Sequence, residues 1–418
     1  MILEKPRRVA LSGFPLLDGA RIRAQLAGMD IRVVPFVAEA EAMVVPDDLA
    51  AEEHARLAER GLPLLQLGSL CEQPGQALQP CAEEPGGMRI CDILLPYAPR
   101  DHRLVPQAIH FPAICQDASF LRTVRLVALA MRDGLPCLLE GPTAGAKTTA
   151  VAWVAMVLGR PFFRLNVSGH SDTGELVGRY TPDERPDARN HWRFLEGAVP
   201  QALREGWCLL IDEINLAEPQ VLERLNPVLE QPPGLVLSEH DNRCFGGRGE
   251  PVHTDFRIFA TMNPAEYAGR SVLSPAFRDR FSLGGFVDLP DADAVYDLLR
   301  FLVFGEQPLV TLDRGLYQAS AQEGPFATLA NAGELLRPWA TLHHALGSAK
   351  LGRGRRERPM FTRRGLLAVC QLACGHVRSG RDASLSVLEA IRLVYHDRLS
   401  EQADRDAVNA AMRAAGLL

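Results

Sequence analysis

The feature that most restricts this chain is one short run, Gly141-Pro142-Thr143-Ala144-Gly145-Ala146-Lys147-Thr148. Pro136-Cys137-Leu138-Leu139 precedes it as an apolar strand pattern. Ala150, Val151, Val154 and Leu158 follow at spacings that line one side of a helix. A strand, a glycine-bearing turn and a helix in that order aim backbone N–H groups outward at a helix N-terminus, which makes a cradle for phosphate oxygens. Lys147 is placed to reach the terminal phosphates of a nucleotide, Thr148 to offer a hydroxyl to Mg2+, and Thr149 to continue the first turn. One letter departs from GxxxxGK[ST]: Ala146 stands where glycine is usual. A methyl group there costs energy if the backbone must take a positive φ.

Further along, Trp207-Cys208-Leu209-Leu210-Ile211 is an apolar strand that ends in two carboxylates, Asp212 and Glu213. An uninterrupted apolar run fits a central parallel strand buried on both faces. At its C-terminal end, Asp212 can hold the hydration shell of Mg2+, while Glu213 orients or deprotonates an attacking water. A second buried strand, Arg257-Ile258-Phe259-Ala260-Thr261-Met262, ends in the amide of Asn263. After it comes Leu273-Ser274-Pro275-Ala276-Phe277-Arg278-Asp279-Arg280-Phe281. Charged residues between two phenylalanines suit a guanidinium that projects across a subunit boundary towards phosphoryl charge.

Taken together, these residues resemble the AAA+ ATPases. The likeness is to the helix-2-insert clade that holds the MoxR-type, midasin and dynein-related modules, and within it to the midasin-like group. Asp212 to Ala217, Val221 to Asn226, Phe259 to Pro264, Gly269-Arg270 and Leu273 to Ala276 are similar to that group's phrases. So is Asp172 to Gly178, where the clade's insert begins. The resemblance covers about 118–400. It implies an α/β P-loop core with a parallel sheet, a C-terminal helical lid, ATP with Mg2+, and a ring-shaped homo-oligomer, usually a hexamer. By the same resemblance, Gly141 to Thr149 form Walker A, and Asp212 and Glu213 form Walker B. Asn263 is sensor 1, Arg280 is the arginine finger with Arg278 as second candidate, and Arg364, with Arg363 competing, is sensor 2 in Phe361-Thr362-Arg363-Arg364-Gly365-Leu366. It further implies a protein client or adaptor, in this clade often of von Willebrand A type. A nucleic-acid motor of a restriction system, using ATP or GTP, is the alternative.

Length and charge bear on that choice. At roughly 150 residues per domain, 418 residues suggest two to three domains. A formal charge of −6 speaks against a role driven by coating nucleic acid. No apolar run approaches the ~18 residues of a membrane span, and Met1 to Arg8 has no secretory pattern, so a cytoplasmic location is expected. Residues 1–73 read as a small α/β unit, with strands near Arg8 to Leu11, Ile31 to Val34, Ala42 to Val45 and Leu62 to Leu65, and helices over 18–29 and 51–60. That unit resembles a BRCT domain. Ser12 and Gly13 match its phosphate-binding positions, but His54 stands for the usual Lys and Ser69 for the usual Trp, so protein docking is the plainer expectation. Density of proline and glycine predicts a linker over 74–117. The ATPase core is expected over 118–288 and a helical lid over 289–418. Cys71, Cys81 and Cys91 contain no CxxC pair, which disfavours a metal site. Cys370 and Cys374 fall on an apolar helix pattern and are expected in a core.

Overall fold

The computed structural model describes residues 77–111, 113–183, 191–264, 272–312, 315–349, 351–352 and 360–418, and the backbone of four N-terminal strands. The chain divides into two compact units: residues 1–79 with 309–318, and residues 80–308 with 319–418.

In the first unit, β1 (Arg8–Leu11), β2 (Arg32–Val33), β3 (Ala42–Val45) and β4 (Leu64–Gln66) form a sheet in the order β2-β1-β3-β4, parallel throughout. The helices expected at 18–29 and 51–60, and Ser12, Gly13, His54 and Ser69, lie outside the described residues. An antiparallel hairpin, Val310–Leu312 with Gly315–Tyr317, belongs to the same unit. Leu78 is clamped to it: its N–H donates to the Leu316 carbonyl at 2.8 Å, and its own carbonyl accepts from the Gln318 N–H at 3.0 Å.

The second unit opens with a correction. Within the span expected to be a linker, β5 (Cys81–Glu84), β6 (Gly87–Ile90) and β7 (Ile93–Leu95) make an antiparallel three-stranded meander. Its glycines serve the turn: Gly86, at φ 100°, lies between β5 and β6, and Gly87, at φ 156°, opens β6. Ile90, Ile93 and Leu95 are buried, and Asp92 pairs with Arg125 of the helix Ala118–Asp133, Nη2 to Oδ2 at 2.8 Å. Apolar side chains at alternating positions supply the packing that the high proline and glycine content obscures.

The main sheet is built from β8 (Cys137–Glu140), β9 (Phe162–Asn166), β12 (Cys208–Asp212), β15 (Arg257–Met262) and β16 (Leu283–Phe286). Two hairpins interrupt that series: β10 (Gly178–Pro182) with β11 (Trp192–Glu196), and β13 (Leu235–Leu237) with β14 (Arg243–Phe245). The sheet order is β16-β8-β15-β12-β9, and every pairing is parallel. This is a P-loop α/β fold. All five residues of β12 are buried, as a central strand requires. Register brings Asp212 beside Asn166 and Met262 beside Glu140, so the carboxyl ends of the inner strands share one rim. That rim is where open α/β sheets bind ligands.

Beyond residue 291 the described structure is mostly helical. Helices Ala292–Phe304, Leu336–Ser348, Arg363–Arg378, Ala383–Ile391 and Gln402–Ala414 bury one apolar core that includes Phe301, Trp339, Cys370, Cys374 and Tyr395. No helix among the described residues is long and apolar enough to cross a membrane.

Candidate nucleotide site

The loop Gly141 to Ala146 runs from the end of β8 into the helix Lys147–Val157. Gly141 has φ 152°, and a Cβ built on it would stand 2.4 Å from the Val287 carbonyl oxygen. Only glycine fits there. Ala144 and Ala146 both adopt left-handed backbone, φ 64° and 60°. The positive φ feared for Ala146 is therefore real, at a cost of about 1 kcal/mol.

Lys147 is buried. Its Nζ donates to the carbonyls of Gly141 and Pro142 at 2.7 and 2.8 Å and to Asn263 Oδ1 at 3.1 Å. Asn263, at the tip of β15, has its Nδ2 3.4 Å from Glu213 Oε1. One amide thus spans the ammonium of the P-loop and the second carboxylate of β12. The Asn263 carbonyl accepts from Asn215 Nδ2 at 2.8 Å, which fixes the turn after β15. Glu213 takes left-handed backbone at φ 58°, and its N–H donates to Thr261 Oγ1 at 3.2 Å.

Thr148 Oγ1 lies 3.2 Å from both carboxylate oxygens of Asp212. A hydroxyl and a carboxylate converging at a helix N-terminus form a hard-oxygen donor set. Mg2+ takes few protein ligands and completes its shell with phosphate and water, so Thr148 and Asp212 fit it. Asp212 also accepts from Thr261 Oγ1 and from Arg164 of β9.

The helical region closes one side. A small cavity is lined by Pro142 to Gly145, Ser119, the segment Asp288 to Pro290, and His343, Phe361, Thr362 and Arg363. Arg363 Nη2 donates to Asp117 Oδ2 at 2.6 Å, and Asp117 caps the helix Ala118–Asp133 by accepting the Phe120 N–H at 2.8 Å. Arg364, the first choice for sensor 2, is exposed and does not line the cavity. The reason is helical register. The helix starts at Arg363, so Arg363 and the buried Leu366 share a face, and Arg364 turns about 100° away. Behind the cavity, His343 Nδ1 and Trp339 Nε1 both meet the Tyr395 hydroxyl, at 2.8 and 3.1 Å. Burial pushes His343 down to about 4, with His344, Arg363 and Arg398 adding to the shift.

Arg278 and Arg280 do not line that cavity. Arg278 Nη2 pairs with Glu140 Oε2 at 2.6 Å. Arg280 Nε pairs with Glu230 at 3.1 Å and Nη1 donates to the Ala276 carbonyl at 2.6 Å. Phe277 and Phe281 are buried edge to face, 5.8 Å between ring centres; between them Arg278, exposed, ends the short helix Pro275–Arg278, and Arg280, half-buried, follows it. Gly269 and Arg270 lie outside the described residues.

Four residues of this neighbourhood escaped the sequence reading: Arg164, Thr261, Asp117 and His343. Thr261 carried a signal, because it lies two positions before Asn263 and so on the same face of β15. The others are brought in only by strand order and by packing of the helical region.

A β-α rim with a phosphate loop, two carboxylates and a bridging amide defines a P-loop nucleotide-binding domain. Residues 136–281 match the family described as AAA domain (dynein-related subfamily). Midasin of Dictyostelium discoideum is 38% identical over 157 residues, 37% of this chain and 2% of that protein. Midasin of Giardia intestinalis is 33% identical over 164 residues, 39% of this chain and 3% of that one. An uncharacterized protein of Staphylococcus aureus is 28% identical over 209 residues, 50% of this chain and 74% of its own length. This chain therefore matches only a small part of either midasin.

Proposed function

We propose that the protein hydrolyses Mg-ATP as a ring-forming homo-oligomer, a hexamer in this clade, and uses the cycle to remodel or activate a protein partner. The observation that carries the reading is the continuous link Lys147–Asn263–Glu213 beside Thr148–Asp212. In this reading Lys147 and the loop amides grip the phosphates. Thr148 and Asp212 hold Mg2+, which when bound neutralises phosphate charge. Glu213 takes the proton of the attacking water, and Asn263 orients that water against the terminal phosphate. Arg363, which lines a cavity with Pro142 to Gly145 of the phosphate loop, takes the sensor 2 role. The placement of exposed Arg278 and half-buried Arg280 away from this cavity supports a role in a neighbouring subunit's site, Arg280 as finger. The MoxR or midasin type of action, with a von Willebrand A adaptor, is the class of partner this reading favours. The N-terminal unit is read as a BRCT-like docking module. Its four-stranded parallel sheet supports that, and the family match does not extend to it.

Turnover of ATP and GTP, with and without DNA, tests the reading. ATP turnover independent of DNA is expected, and DNA-stimulated GTP turnover would favour the motor instead. Glu213→Gln should keep nucleotide binding and lose turnover. Arg280→Ala should bind normally but hydrolyse about 10³-fold more slowly, and mixing it with Lys147→Ala subunits should restore part of the activity. Full activity of Arg280→Ala, or an active monomer by light scattering, would overturn the ring.

A further inference from the structure

Asp212 is the buried carboxylate of the site, and its oxygens are already satisfied. Thr261 Oγ1 donates from the buried strand β15, and Thr148 Oγ1 from the P-loop helix. The charge on Asp212 is met by Arg164 of the neighbouring strand β9. Its Nε and Nη2 both reach Oδ2, at 2.7 and 2.5 Å. The two ends of this ion pair differ sharply. The Asp212 side chain is 6% exposed and the Arg164 side chain is 51% exposed. A buried carboxylate without a cation is costly. A guanidinium with half its surface in water leaves its partner cheaply. Of the donors on Asp212, Thr261 is buried and Thr148 is a short, half-buried side chain on the first turn of its helix, and Arg164 alone is carried on a long, solvent-facing side chain.

We infer that Arg164 is a built-in counter-cation for Asp212 which must leave before that carboxylate can serve Mg2+, so that the arginine and the divalent ion hold Asp212 in alternation. The inference rests on the Mg-nucleotide reading of the site and adds to it a positioning residue on β9. Arg164 thereby does two things. It keeps the Asp212 charge compensated between nucleotides, and it raises the Mg2+ concentration at which nucleotide is held.

The test uses the full chain, a fluorescent ATP analogue titrated at stepped Mg2+ concentrations, and thermal midpoints with and without Mg-ATP. Wild type is compared with Arg164→Gln and Arg164→Lys. For Arg164→Gln, the Mg2+ concentration at half-saturation should fall by about tenfold, the equivalent of one charged hydrogen bond released from competition. Arg164→Lys, which keeps a charge without the fork, should fall in between and stands in if the glutamine variant does not fold. The thermal midpoint of Arg164→Gln should drop without ligand, and the gap to wild type should narrow with Mg-ATP. An unchanged Mg2+ requirement, or the same midpoint loss in both states, overturns the inference. So does loss of nucleotide binding by a folded variant, which would make Arg164 a phosphate ligand. Wild type that binds no analogue at any Mg2+ concentration overturns the underlying reading of the site, which the variants alone do not.

Discussion

The carboxyl rim of the sheet and the helical region beside the phosphate loop solve the same electrostatic problem in opposite ways. On the sheet side, Lys147 meets Asn263, Asn263 meets Glu213, and Thr148 meets Asp212, with contacts of 3.1 to 3.4 Å. Each of these groups is also what a phosphate, a cation or a water would engage. On the helical side, Arg363 is tied to the buried helix cap Asp117, and His343 to the buried Tyr395 and Trp339. Those partners are structural and have no exchangeable substitute. The sheet side therefore stores binding capacity, while the helical side holds shape, and substitutions on the two sides should fail differently.

The largest effect expected is on the sheet side. Lys147→Ala removes the only buried ammonium described at the loop, so nucleotide affinity measured by calorimetry should fall by at least about a hundredfold, with a much smaller change in thermal midpoint. Equal affinity would break the contrast. Next comes Asp117→Ala, which strands the half-buried Arg363 and removes a helix cap. A stability loss of about 3 kcal/mol is expected from the denaturant midpoint. Asp117→Asn, which keeps the cap, should lose less. A loss under 1 kcal/mol on Asp117→Ala, roughly that of a surface pair, would make the two sides alike.

His343 sharpens the contrast through pH. Its folded value, about 4, lies below the ordinary value of 6.5, so the unfolded chain takes up its proton first. Stability from this group is full above pH 6.5 and is lost as pH falls towards 4, by at most about 3 kcal/mol. Thermal midpoints from pH 8 to 4 should therefore slope less in His343→Gln than in wild type. The smallest effect belongs to the loop. Ala146→Gly relieves left-handed strain at the first position before the helix and should stabilise by about 0.5–1 kcal/mol, with nucleotide affinity equal or tighter. Weaker binding would mean that Ala146 contributes a contact.

How much of this was readable from the chain follows from what fixes each residue. The P-loop, both carboxylates and Asn263 were legible because each sits at the end of an apolar strand, where local pattern and chemistry coincide. The parallel core followed from the same runs. Arg363 and Arg364 were adjacent candidates, and the choice between them depended on where a helix begins, which local pattern fixes poorly. Asp117 reads as an ordinary helix cap until the packing of the helical region brings Arg363 to it, 246 residues away in sequence. Arg164 looks like a lone charge on a strand, and only the order β12-β9 sets it on Asp212. The meander at 81–95 was hidden for a different reason: Pro85, Gly86 and Gly87 mark a turn between very short strands, and composition alone does not separate that from a tether.

The contact between Gly141 and Val287 limits how this loop can drift over evolutionary time. The obstacle to any side chain at 141 is a carbonyl oxygen, 2.4 Å from where a Cβ would stand, and every amino acid at 287 carries that oxygen. No second-site change at 287 can therefore make room, and position 141 has no neutral path away from glycine. Ala146 carries only its own backbone strain, so a lineage can gain or lose glycine there in one step. Among relatives of this chain, variation in the phosphate loop should accordingly be found at 146 and not at 141.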